Sequence, residues 1–161
     1  MALQKSMLES QLVSGFSTHN DSAMQAATKI ANAFDAYIKG IQNLGGGAFS
    51  SMAGINLLNS QLNNIFLQQL QSGAQIGDKI ATAFNQCMST LNTIYQTAPP
   101  ITSTSFAGFK SQMMILFQGH QNSGAQFARK LATHIHTFVS TSQIQGVVPG
   151  SPPVPFTGPP S

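Results

Sequence analysis

Four side-chain carboxylates, Glu9, Asp21, Asp35 and Asp78, are spread over 161 residues, and no two sit at a spacing that pairs an acid with a base. His134 and His136 are two apart, so on a helix they diverge by about 200° and cannot share a metal ion. His19 and His120 fall between helices. Cys87 is the single cysteine, which rules out an intramolecular disulfide. "NLGGGAF" is glycine-rich but lacks the lysine of a phosphate-binding loop and follows no strand. The chemistry-bearing residues therefore predict no catalytic, cofactor-binding or metal-ligating site, and no enzyme and no cofactor are expected.

A repeat organises the rest of the chain. "QSGAQIGDKIATAF" (71–84) returns fifty-one positions later as "NSGAQFARKLATHI" (122–135), and "KIANAF" (29–34) matches it fifty positions earlier. A second motif keeps the same offsets: "LESQLVSGF" (8–16), "LNSQLNNIF" (58–66) and "FKSQMMILF" (109–117). Two motifs that hold one spacing three times define a triplication.

The first motif in each repeat sets Leu8, Leu12, Phe16, then Leu58, Leu62, Phe66, then Phe109, Met113, Phe117 at i, i+4, i+8, one apolar stripe on a helix. The second opens with Ser22 and Gln25, Ser72 and Gln75, Ser123 and Gln126, the pattern of a capping box. Behind it run Ala27, Ile30, Phe34 and Tyr37; Gly77, Ile80, Phe84 and Cys87; Ala128, Leu131, Ile135 and Phe138, again at helical spacing. Each repeat reads as a helical hairpin. The core is expected from Leu12, Phe16, Ile30, Phe34, Leu62, Phe66, Ile80, Phe84, Met113, Phe117, Leu131 and Ile135. Cys87 stands where the other repeats have Tyr37 and Phe138, which predicts packing rather than nucleophilic chemistry. One such hairpin is too small to be stable alone, whereas three can share a core. Ala31, Ala81 and Ala132 follow the large apolar residues and would let helices approach or simply favour helix.

The expected fold is all-α: three tandem hairpins, about six helices, with an extended Pro-rich C-terminal arm. Residues 1–42, 55–95 and 106–145 form the hairpins. A Gly-rich linker, 43–54, and a Pro/Thr/Ser linker, 96–105, join them. Residues 146–161 hold six of the eight prolines and no charge, and would extend as a polyproline-like arm or remain a disordered tail. Val147, Val148, Val154 and Phe156 give that arm apolar side chains with which to lie along a neighbouring subunit.

Only 7% of residues are charged, against about 25% in typical soluble proteins. Two explanations fit, an assembly that covers the surface or contact with a membrane, and the first is favoured because interfaces are depleted in charge. The net charge of +3 comes from scattered lysines and one arginine without a basic run, so no nucleic acid is expected. Lys29, Lys79 and Lys130 are equivalent across repeats and are expected to be solvated or to snorkel. No stretch reaches the roughly 18 apolar residues of a membrane span, and the first twelve residues lack the apolar core of a signal peptide.

Met1 to Leu3, Ile30, Ala31, Ala33, Tyr37 and Ile38, together with the Pro-rich end, resemble the small helical-hairpin structural proteins of tailed bacteriophages. The likeness covers the first repeat and the tail, and this chain departs from the single-hairpin pattern by having three. It implies a virion component of the tail, baseplate or neck, assembled in host cytoplasm. Its partners would be other virion structural proteins, in a homo- or hetero-oligomer, and it assigns no functional residue. The competing class is a membrane-active or secreted interaction protein, supported by the Gly and Met content and by "MMILF" (113–117); a small cytoplasmic adaptor or chaperone is the third.

Overall fold

The computed structural model describes residues 5–17, 22–50 and 52–161. Met1 to Leu3, His19 and Asp21 lie outside the described residues. The fold is all-α, with six helices among the described residues: α1 (Lys5–Ser17), α2 (Ala23–Lys39), α3 (Met52–Leu67), α4 (Gly73–Thr90), α5 (Ser103–Gln118) and α6 (Gly124–Thr141). They pair as the three hairpins that the repeat predicts. The linkers lie upstream of the expected bounds, because α2 ends at Lys39 and α4 at Thr90, while α3 begins at Met52 and α5 at Ser103.

The long helices start where the caps place them. Ser22, Ser72 and Ser123 each accept from the backbone N–H three residues on, at 3.2, 3.2 and 3.1 Å. The reciprocal arm of the box forms in the second repeat, where Gln75 Oε1 accepts from the Ser72 N–H at 2.9 Å. In the third, Gln126 Oε1 takes the N–H of Asn122 instead, at 3.0 Å. Either way a free N–H at the helix start is satisfied.

Each helix packs on its neighbours in sequence, and α6 packs back on α1, so the three hairpins close into a ring. The centre is filled by equivalent residues of the three long helices: Phe34, Phe84 and Ile135 in one layer, Tyr37, Cys87 and Phe138 in the next, all essentially inaccessible. Phe34 meets Phe84 edge-on with centroids 5.0 Å apart, and Phe109 stacks on Phe138 at 4.4 Å. Leu8, Leu12, Leu58, Leu62, Ile30, Ile80, Leu131 and Met113 are buried, and so are Ala31, Ala81 and Ala132. Phe16, Phe66 and Phe117 are only partly buried and pack against the core from its rim. They end the short helices, where the helical stripe leaves the interior; Phe127 sits edge-on between Phe16 and Phe117, 5.2 Å from each.

The principal departure from expectation is at the C-terminus. Residues 146–161 are not an open arm: β3 (Ile144–Val148) and β4 (Val154–Gly158) form an antiparallel hairpin that folds onto its own chain. The prolines permit this because of where they fall. Pro152 and Pro153 lie in the connecting loop, and Pro155 sits opposite Val147, whose N–H points away to the Tyr95 carbonyl at 2.9 Å. In an antiparallel ladder that makes Val147 and Pro155 a non-hydrogen-bonded pair, so the N–H that Pro155 lacks would have faced the free edge. Gly146 is required where it stands, since a Cβ there would strike the Tyr95 carbonyl and the Phe156 ring.

The same end of the ring gathers the other linkers. β1 (Phe49–Ser50) pairs with β2 (Asn92–Thr93). Thr97 N–H donates to the Gln145 carbonyl at 3.1 Å, and Gln42 and Ser161 exchange two backbone hydrogen bonds of 2.8 Å. Buried Asn43 locks the junction, donating from Nδ2 to Thr93 Oγ1 at 2.7 Å and to the Ile94 carbonyl at 2.9 Å, while its Oδ1 accepts from Gly47 N–H at 2.8 Å. First linker, second linker and tail thus contact one another in a cycle, a β-cap that repeats the closure of the helices.

Candidate functional site

The three acids among the described residues are each committed to a cation. Lys39 Nζ lies 2.6 Å from Asp35 Oδ2 within α2, Lys110 Nζ lies 2.6 Å from Asp78 Oδ1, and Arg129 Nε lies 3.4 Å from Glu9 Oε1. No group of three His, Cys, Asp or Glu able to hold a metal occurs among the described residues. His134 and His136 do not converge on a common point. The His136 ring turns inward, its Nδ1 2.8 Å from the Tyr37 hydroxyl on α2. Burial and the Lys5 charge lower the His136 pKa, and burial and Lys130 lower that of His134, so neutral rings are favoured. A neutral Nδ1 accepts from the Tyr37 O–H, and burial holds that hydroxyl protonated well above its ordinary pKa. The sequence reading missed this bond because the positions equivalent to Tyr37 are Cys87 and Phe138. Cys87 is buried, and burial together with the Asp35 charge pushes its thiol up to about 12, which leaves no thiolate to react.

The equivalent lysines serve the hairpin turns. Lys29 Nζ donates to the Gly15 carbonyl at the end of α1 (3.2 Å), Lys79 to Gln71 Oε1 (2.6 Å) and Lys130 to Gln121 Oε1 (2.8 Å). Their stems cross shallow grooves between the two helices of a hairpin. One, of about 600 Å³, is lined by Ser10, Gln11, Ser14 and Asn32 beside Lys29. Its counterpart in the second repeat, about 270 Å³, is lined by Gln61, Asn64, Thr82 and Gln86 beside Lys79. Neither is lined by a carboxylate, imidazole or thiol.

Specific polar contacts lie instead at the seams between hairpins. Thr28, Asp78 and Arg129 are equivalent, as are Glu9, Asn59 and Lys110. Each residue of the first set faces one of the second across a seam: Thr28 with Asn59 (3.4 Å), Asp78 with Lys110, Arg129 with Glu9. Glycines let the helices approach there. A Cβ at Gly73 would collide with the Phe117 carbonyl and one at Gly77 with the Met113 carbonyl, both across α4–α5; one at Gly124 would stand 2.7 Å from the Phe16 carbonyl oxygen across α6–α1.

The β-cap is the other distinctive surface. Residues 41–50, 91–102 and 142–161 carry none of the charged side chains. They expose Leu44 (55%), Ile94 (63%) and Val154 (60%), with Tyr95 and Val147 beside them. Of the residues expected to form a partner-binding arm, Val147 and Val154 are exposed, while Val148 and Phe156 turn partly inward against Gly45. No family model matches the chain, no curated protein matches it in sequence, and no solved structure matches its fold.

Proposed function

We propose that the chain is a non-enzymatic assembly subunit of a bacteriophage virion, in the tail, baseplate or neck, which packs against other virion structural proteins. The observation that carries the assembly reading is the β-cap: a charge-free face with Leu44, Ile94, Tyr95, Val147 and Val154 exposed, on a chain with 7% charged residues. Exposed apolar groups gathered on one surface mark a place for a partner. The free edge of β4 offers few donors because of Pro155, so a partner would meet the face of the cap rather than add a strand. The resemblance of the first repeat and Pro-rich end to phage hairpin proteins supplies the virion setting.

Light scattering coupled to size-exclusion chromatography, without detergent, tests this. A defined oligomer, or a monomer that aggregates unless a virion protein is added, is the expected result. A monomer that stays well behaved at high concentration contradicts it. Liposome flotation separates the membrane-active alternative; no described helix is long and apolar enough to cross a bilayer, and the chain is expected to remain with the soluble fraction. Detection of the chain in purified particles tests the virion setting itself.

A further inference from the structure

Hairpin 1 (α1 and α2) is held to the ring differently from hairpins 2 and 3. Between hairpins 2 and 3, α4 meets α5 with glycine at both positions of close approach, Gly73 and Gly77, and the Asp78–Lys110 ion pair lies across the seam at 2.6 Å. At the α2–α3 seam the equivalent small residues are Ala23 and Ala27, and the polar pair is neutral, Thr28 with Asn59 at 3.4 Å. At the α6–α1 seam one glycine remains, Gly124, with Ala128 at the second position. Its ion pair is longer, 3.4 Å, and its arginine side chain is 63% exposed. No linker spans that seam; hairpin 1 is tied to the body through residues 40–51, which include Gly45, Gly46 and Gly47. Gly46 has φ of +81° in the turn that its N–H closes onto the Asn43 carbonyl, and nothing lies within 4 Å of where a Cβ would stand; glycine there leaves the backbone the conformational freedom a hinge uses.

The seam charges also bias which helices meet between two copies. Helix α6 against α5 of another copy would set Arg129 against Lys110, and α4 against α1 would set Asp78 against Glu9; both are like-charge pairs. Helix α6 against α1 sets Arg129 beside Glu9 whichever chain supplies the partner. The recognition that closes the ring in one chain therefore also accepts a second copy, and in that register.

We infer that a second copy of this chain docks by exchange of hairpin 1, whose α1 and α2 enter between α6 and α3 of the partner in place of the partner's own hairpin. Every helix seam is then reproduced between chains, and so are the bonds of Gln42 to Ser161 and of Asn43 to Thr93 and Ile94; what opens is the turn at 43–47, where Asn43 and Gly47 bond each other, which keeps such exchange a low-cost route to a dimer. Closure within one chain dominates in dilute solution, where the linker keeps the effective concentration high; exchange grows with protein concentration, as in an assembly. This extends the assembly reading by naming one partner, and it uses a surface other than the β-cap.

A disulfide trap tests it. Full-length chains carrying Glu9→Cys and Arg129→Cys are mixed, co-refolded over a concentration series and oxidised; buried Cys87 stays out of the reaction. The double variant, refolded when dilute, reports whether the two positions can cross-link within one chain. The expected result is that cross-link in the double variant and, in an equal mixture, a ratio of heterodimer to total homodimer several times the equal amounts that random pairing gives, rising with concentration. A mixture that gives only random proportions of heterodimer and homodimers overturns the inference, and so does a double variant that cross-links in cis at every concentration while the mixture yields no heterodimer. If the unmodified chain assembles by light scattering yet the trap closes only in cis, the assembly reading stands and hairpin exchange falls.

Discussion

The α4–α5 and α6–α1 seams are built from the same positions, yet they differ in how closely they let the backbone approach and in the sense of their charge. In the first, Gly73 and Gly77 bring α4 onto the carbonyls of Phe117 and Met113, and the acid is on the long helix, Asp78 facing Lys110. In the second, Ala128 replaces the second glycine and the base is on the long helix, Arg129 facing Glu9. Repetition alone would make three interchangeable hairpins. The reversed charge makes the interfaces distinguishable, and the uneven glycine content concentrates close packing between hairpins 2 and 3.

The largest effect that distinguishes the seams is steric. Gly77→Ala puts a methyl group into the Met113 carbonyl and is expected to cost about 1–3 kcal/mol, despite the roughly 1 kcal/mol that alanine gains in helix propensity. The reverse change at the equivalent position, Ala128→Gly, loses about 1 kcal/mol through propensity alone. Urea unfolding of both variants checks the pair, and a stabilising Gly77→Ala would remove the distinction between the seams.

A smaller effect concerns how hairpin 1 is tied to hairpin 3. Tyr37→Phe removes the hydrogen bond to His136 and is expected to cost about 0.5–1.5 kcal/mol. The pH dependence has a definite sign. His134 and His136 have folded-state pKa values below the ordinary 6.5, so at lower pH the unfolded chain binds protons that the folded chain resists. Stability from these rings is full above about pH 6.5 and is lost as the pH falls below that value toward the depressed folded ones. Thermal unfolding between pH 7.5 and 5 should show the decline, and His136→Gln should flatten part of it. A melting temperature that rises on acidification would contradict the burial of these rings.

The smallest effect is electrostatic. Arg129→Glu places two carboxylates across the α6–α1 seam and is expected to cost no more than about 1 kcal/mol, since the pair is largely solvent-exposed. Combination with Glu9→Arg should restore most of the loss, as a double-mutant cycle would show. Lys110→Glu, restored by Asp78→Lys, is the matching cycle at the tighter seam. No coupling in either cycle would deny the seam pairs a role in ordering the ring.

The triplication, the six helices and the serine caps were legible because their signals are local: a stripe at i, i+4, i+8 and a serine three residues before glutamine. Ring closure was not, because no short-range pattern says that α6 returns to α1. The alignment did carry a signal that could have been used: the columns holding Thr28, Asp78 and Arg129 and holding Asn59, Lys110 and Glu9 change chemistry in complementary fashion. That complementarity becomes apparent once each long helix is set against the next short one. The tail was misread for a different reason. Its proline content masked the alternation of Ile144, Gly146 and Val148, and the edge position that makes Pro155 acceptable in a strand depends on Tyr95, some fifty residues earlier.

Native-state hydrogen exchange, resolved by helix, is the most direct test of the central claim, that hairpins 2 and 3 form a tight body to which hairpin 1 is joined by looser seams. Amides in α1 and α2 are predicted to open at lower free energy than those in α4 and α5, with the difference narrowing in Gly77→Ala. Equal protection across all six helices, or greater protection in α1 than in α4, would contradict it.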